Sequence, residues 1–416
     1  MWDSMSGRGL LMERKLLNRK EAYGSLLFAL IICSKLINST LARTLPGGIQ
    51  SGLLTMGAIW MLTLLYCIRY ASLKVNKIGT IFLLYILCFF GISNFVLTGH
   101  VKELTLHFVE YGVLGYIIAG ADFDFEKTTR FTGYIMLLLS ASIIQLMQNS
   151  YNAYSSILGM GESYTLLPPA FAVLTHFIYY RREKDYLMYL SYVFSLYVLY
   201  NIFARGTRGA ILCFIVFVFL AVMNLPSVRN SFNLYRGTLF VLAFILILNA
   251  DTILLWMSNF LAARGLNIRF IEKTINLGSD VSNGRTYRYQ LAWSDFLSSP
   301  IWGNGIGFFP EAHNINYPHN LFLQVLSEGG LLLGIPIITV SVIAIYYLIF
   351  GKIQNRNYRI ALLMLVGCTI PAAFVSDELW NYQLLWLAFG ILIKKNKTLM
   401  TNTNSSKQME TECHEV

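Results

Sequence analysis

Apolar residues in this chain gather into runs of about 18–22, the length at which a helix crosses roughly 30 Å of hydrocarbon. Short polar segments separate the runs. In order they predict twelve membrane spans, at 22–40, 52–69, 78–98, 101–120, 131–148, 163–181, 186–203, 208–225, 236–257, 331–350, 359–376 and 378–394. The pattern lapses once, over 258–318, where no spanning run occurs. Loops of that length are rarely mere connectors. The chain thus divides into a polar tail (1–21), nine helices (22–257), the long loop (258–318), a last group of three helices (319–394) and a second polar tail (395–416). No small-residue cleavage site follows the first apolar run, so it is expected to remain as a helix.

Composition agrees with that pattern. Hydrophobic residues make up 56% of the chain and charged residues 13%, where a soluble domain carries about 25% charged residues. The net charge of +10 is explained by where the cations lie. Arg8, Arg14, Lys15, Arg19 and Lys20 fill the first tail, and alternate short loops carry Lys74 and Lys77, Lys127 and Arg130, Arg181 and Arg182, Arg229 and Arg236, and Lys352 and Arg356. With twelve spans all of these fall on one side, the cytoplasmic one by the positive-inside rule, together with both termini. Nucleic acid is not needed to account for the charge. The long loop contains no cysteine, so no disulfide framework supports it. The last tail, from about Asn396, has the composition of a disordered segment.

Candidate chemistry lies on the opposite face. Arg205 and Arg208, in "FARGTRGA", stand between two spans. Arginines there either reach toward lipid headgroups or receive a phosphate, whose oxygens fit the guanidinium fork. The block "NGRTYRYQLAWSDFLSSPIWGNGIGFF" reads as a helix followed by a glycine turn. Tyr289, Trp293, Phe296 and Leu297 share one face of that helix, the aromatic stripe of a helix lying on a bilayer. Arg285 and Arg288 occupy its first turns, where a simple surface helix has no need of two cations. His319 comes next, after Pro318 and at the mouth of a span, with Asn320, Gln324 and Glu328 as polar groups around it. A lone histidine is often a satisfied structural group; a neutral imidazole at such a mouth is also suited to take a proton from a sugar hydroxyl.

Ionisable residues inside spans, namely Lys35, His107, Glu110, His176 and Asp251, are expected to face the bundle interior or a cavity. His107 and Glu110 are three apart and read either as part of a proton path or, preferably, as a paired polar contact. No metal-ligand spacing, Walker loop or dinucleotide turn occurs, so neither cofactor nor metal is expected.

Three blocks together resemble the O-antigen ligase and O-antigen polymerase superfamily of bacterial surface-polysaccharide enzymes. They are "RGTRGA" at 205–210, "NGRTYRYQLAW" with "PIWGNGIGFF", and "HNLFLQVLSEGG" at 319–330. The resemblance covers roughly the second half of the chain; the first half is similar in hydropathy alone. It implies an all-α polytopic protein of the inner membrane, with about twelve transmembrane helices and one large, partly helical periplasmic loop between helices 9 and 10. It also implies a metal-independent, inverting glycosyltransferase that uses an undecaprenyl-diphosphate-linked glycan. Arg208 and Arg285, supported by Arg205 and Arg288, would bind the diphosphate, and His319 would activate or orient the acceptor hydroxyl. The acceptor is a growing glycan in a polymerase or lipid A–core in a ligase, with membrane lipids and a chain-length regulator as further partners. After Gly330 the sequence "LLLG" is one residue longer than the ligase pattern, which tilts the reading to polymerase. A transporter of lipid-linked glycans is the alternative from another class, and it predicts key charges within the membrane and short outer loops.

Overall fold

The computed structural model describes residues 3–45, 50–70, 77–96, 100–149, 160–180, 185–205, 208–225, 285–350, 353–375 and 378–393, with Thr238, Phe260 and Ala263 singly. The span expected at 236–257, the loop before Arg285 and the last tail lie outside these residues, apart from those three. Among the described residues every regular element is helical, one of the two ways a chain can satisfy its backbone where lipid offers no partner.

The helices are α1 (Asp3–Thr44), α2 (Ser51–Tyr70), α3 (Lys77–Val96), α4 (His100–His107), a π turn (Phe108–Val113), α5 (Leu114–Ala119), α6 (Phe125–Leu138), α7 (Ser140–Asn149), α8 (Met160–Tyr180), α9 (Tyr186–Arg205) and α10 (Arg208–Met223). After the undescribed stretch come α11 (Arg285–Ser298), α12 (Phe308–His313), α13 (Leu321–Ile349), α14 (Arg356–Val375) and α15 (Gln383–Ile393). Among the described residues six helices are long and apolar enough to cross a membrane, or seven if the bent pair α6–α7 forms one span.

Three expected spans differ in shape. The span at 131–148 is broken after Leu138, and α7 leaves α6 at 62°. The span at 101–120 contains the π turn, and just after it Gly115 lets α5 approach the backbone of α15: a Cβ there would lie 2.6 Å from the Gln383 carbonyl oxygen. The span at 331–350 begins ten residues early, at Leu321, because Asn320 caps a helical segment that the apolar run does not reveal.

The core is built around α14. Every residue from Arg359 to Ala373 is buried, as expected of a helix that is apolar on all sides. Phe217 of α10 lies against Gly367, where a Cβ would come within 2.9 Å of it, and Phe171 of α8 stacks on Phe217 at 4.3 Å. At one end of the bundle Lys20 pairs with Asp122 at 2.7 Å and Arg356 donates to the Tyr179 carbonyl at 2.6 Å. The opposite end gathers the end of α1, the starts of α2 and α4, the α9–α10 junction and the end of α14.

At that opposite end, α13 is interrupted. A regular helix would bond Leu331 N–H to Ser327 C=O and Leu332 N–H to Glu328 C=O. Gly330 (φ 58°) turns the chain out of the helix, and these groups find partners in the turn after α11. Leu331 and Leu332 donate to the carbonyls of Pro300 and Ile301 at 2.8 and 3.2 Å. The Ser327 and Glu328 carbonyls accept from Asn304 and Gly305 at 3.0 and 2.8 Å. Two internal bonds become four between segments. The backbones meet so closely that a Cβ on Gly330 would lie 2.4 Å from the Ile301 oxygen, and one on Gly303 the same distance from the Glu328 oxygen.

Gly330→Ala is therefore expected to destabilise the protein by more than the roughly 1–3 kcal/mol that a backbone conformation open essentially to glycine costs by itself. Thermal melting of the detergent-purified protein should fall by several degrees for Gly330→Ala and for Gly303→Ala, whereas Gly57→Ala, which meets nothing within 4 Å, should leave it unchanged.

Candidate active site

α11 is fixed first. Ala292 and Asp295 form its buried face against α13, while Trp293 and Leu297 remain about half exposed. The aromatic stripe thus divides: Trp293 and Leu297 look outward, as expected of a surface helix, and Tyr289 turns inward. The phenol of Tyr289 stands 3.4 Å from the His319 carbonyl and 3.4 Å from the Phe374 carbonyl at the end of α14, and donates toward both. Burial pushes that phenol above its ordinary pKa, against the opposing pull of Arg285 one turn earlier, so it remains a neutral donor.

His319 sits in the left-handed region at φ 60°, a conformation that residues other than glycine adopt seldom and at a cost. Pro318 beside it is buried, and the Tyr317 ring meets the imidazole edge to face at 4.4 Å. Asn320 then starts α13: its side-chain oxygen accepts from Phe322 and Leu323 N–H at 3.0 and 3.1 Å. The amide expected as a polar neighbour of the histidine is a helix cap.

Gln324 and Glu328 lie deeper in α13 and are almost fully buried. Glu328 accepts from Gln324 Nε2 at 3.3 Å and from the indole of Trp380 at 3.0 Å. Its carboxyl ties α13 to the segment before α15. Asp295 and His313, a further pair in the loop, meet at 2.8 Å, and Asn304 donates to the Asp295 carbonyl at 2.7 Å. These contacts hold α11, the glycine turn and α12 together.

Arg205 closes α9 and Arg208 opens α10; both are described by their backbone alone. Gly209 shows what the first turn of α10 faces, since a Cβ there would be 2.0 Å from the Tyr164 hydroxyl and 2.9 Å from Val375 Cγ2. The start of α10, Tyr289 and His319 therefore meet at the end of α14. Arg285 and Arg288 are half-buried on α11.

Of the charges within spans, His176 meets the Tyr192 hydroxyl through Nδ1 at 2.7 Å. Asp251 lies outside the described residues. His107 and Glu110 do not bond to each other: the π turn begins directly after His107 and widens the spacing, so the ring of Tyr111 faces the imidazole instead, at 6.0 Å.

Residues 193–338 match the family model of the O-antigen ligase domain. That match supports the O-antigen ligase and polymerase superfamily for this stretch of the chain. The matched stretch runs from α9 into α13 and contains Arg205, Arg208, Arg285, Arg288 and His319, with α1–α8, α14 and α15 outside it. No curated protein matches the chain. Members of the superfamily are glycosyltransferase-like enzymes that handle lipid-linked glycans. Sequence reasoning missed the inward role of Tyr289, although its place four residues after Arg285 was a legible signal. It had no signal for Trp380, whose partner is 52 residues away.

Trp380→Phe leaves the buried Glu328 carboxyl without one of its donors. The expected cost is about 1–3 kcal/mol, to be read as a lower melting temperature of the purified protein.

Proposed function

We propose that the protein is an inner-membrane glycosyltransferase that works on the periplasmic face. In this reading a glycan passes from undecaprenyl diphosphate to a sugar hydroxyl. The observation that carries it is the meeting of α10, α11 and His319 at the end of α14, because a diphosphate leaving group and an acceptor hydroxyl must be handled at one place.

His319 accepts the proton of the acceptor hydroxyl as its oxygen attacks the anomeric carbon. The bond from that carbon to the diphosphate oxygen breaks, with inversion. Arg208 and Arg285, assisted by Arg205 and Arg288, take up the negative charge that collects on undecaprenyl diphosphate, in the manner of donors placed where transition-state charge develops. Guanidinium groups do here what a divalent cation does in many nucleotide-sugar enzymes, so transfer is expected to persist in EDTA. Tyr289 and Tyr317 set the position of His319 and take no part in bond-making. The full topology belongs to this reading too: twelve spans, both termini in the cytoplasm, and the loop of 258–318 in the periplasm.

The favoured acceptor is a second lipid-linked repeat, which makes the enzyme a polymerase. The ligase reading rests on the description of the matched family and has lipid A–core as acceptor. Deletion of the gene with electrophoresis of the surface glycan separates them. Core carrying one repeat marks a polymerase, bare core with polymer retained on the carrier marks a ligase, and an unchanged ladder rejects both in favour of a transporter.

In complementation of that deletion, His319→Ala is expected to lower transfer by about 10²–10⁴-fold, the usual weight of a general base. Arg208→Lys and Arg285→Lys should also lower it, since an ammonium cannot copy a bidentate contact. Full activity in His319→Ala would remove the histidine from the mechanism.

A further inference from the structure

A cavity of about 280 Å³ opens among α1, α2, the π turn, α8 and the segment before α15. Nothing in the proposed reaction uses it. Lys35, Asn38, His107, Tyr111, Thr165 and Asn381 line it, and among the described residues no carboxylate does. Lys35 is half-buried, and among the described residues no acid lies within 4.0 Å of its ammonium; its neighbour is the face of Tyr382, 5.3 Å from the ring centre. His107 Nδ1 is buried with no hydrogen-bond partner. Asn38 receives the Ser51 hydroxyl on its oxygen at 2.6 Å, which leaves its NH₂ as a donor. A half-buried cation with the Asn38 amide beside it and, among the described residues, no counter-ion leaves room for an anion in the cavity.

Position narrows the choice of anion. At 1.5 Å per residue, Lys35 stands about 14 Å below the end of α1, and His107 and Thr165 about 8–10 Å below the starts of α4 and α8. All three belong to the end of the bundle that holds His319. The segment 378–383 joins the two places. Trp380 is bonded to Glu328, Asn381 lines the cavity and donates to Glu378 at 2.9 Å, and Gln383 donates to Ser34 at 2.8 Å. The volume is at the lower end of ligand pockets, which begin at roughly 300 Å³, and suits a sugar ring better than an acyl chain. Hydroxyls and amides on several sides suit it as well.

We infer that this cavity binds an acidic sugar of the substrate glycan, with the Lys35 ammonium on the sugar carboxylate and Asn38 and His107 on neighbouring oxygens. The inference rests on the glycosyltransferase reading, in which the diphosphate is held by the arginines. It assigns recognition of the glycan to helices outside the matched domain.

The test uses the full-length protein in nanodiscs and the oligosaccharide released from its own lipid-linked glycan, native or with carboxylates amidated. Calorimetric binding of the released oligosaccharide reads the cavity whether or not transfer occurs. Lys35→Met is expected to weaken binding of the native oligosaccharide at least tenfold and leave the amidated one, already weak, unchanged. Lys35→Arg should restore most of the affinity. In transfer assays Lys35→Met should raise KM for the native lipid-linked glycan with kcat retained. Binding that survives Lys35→Met, equal losses for both oligosaccharides, or a glycan without acidic sugar overturns the inference. Inhibition by inorganic pyrophosphate separates the sources of the anion: relief by Lys35→Met as well as by Arg208→Lys would assign the cavity to the diphosphate and overturn it too. Selective binding with no transfer by the unaltered protein would reject the enzymatic reading while keeping the cavity.

Discussion

At Gly330 a helix gives up two hydrogen bonds to itself and makes four with a neighbouring turn. The rest of the site depends on that exchange. In a membrane protein an unpaired backbone group within the bundle is costly, so a helix can break only where another segment supplies the missing partners. The turn at 300–305 is that segment. Once it is bonded there, α11 has a single place to lie, and Tyr289 reaches both the carbonyl of His319 and the end of α14. The glycines at 303 and 330 are needed at this junction because neither backbone leaves room for a Cβ.

The interior polar groups fall into two kinds. Glu328, Asp295 and His176 have partners within hydrogen-bond distance and act as fastenings between elements. Lys35 and His107 lie along an open cavity, where among the described residues the Lys35 ammonium has no acid within 4.0 Å and His107 Nδ1 has no hydrogen-bond partner. Both kinds are expensive to hold within a bundle, but the first is balanced by the fold itself.

Much of this was legible in the sequence. The apolar runs marked the described long helices because a lipid-facing or buried span has to be apolar over its length, and the arginine and histidine blocks fall in the stretch that matches the family. The break in α13 was not legible: nine helical residues before the apolar run carry Gln324, Ser327 and Glu328, and their partners are remote in sequence. Nor was the bend after Leu138, for no proline or glycine marks it. The expected pairing of His107 with Glu110 assumed ordinary helical spacing, and a π turn replaces that spacing. Asn320 was read as part of the chemistry, although its place just before an apolar run is also the signature of a cap. The all-helical character was written in composition, and the candidate site rests on motifs. The contacts joining them depend on backbone geometry, which residue types record only through glycine.

The interlock at Gly330 also bears on how this region can vary. Four backbone bonds fix the turn against the broken helix, so the position of α11 and that of the histidine are set from one junction. The turn and the broken helix cannot vary independently. Each is the other's template, and a graft that exchanged the loop between two such proteins would have to carry 300–305 and 327–332 together as one inherited unit.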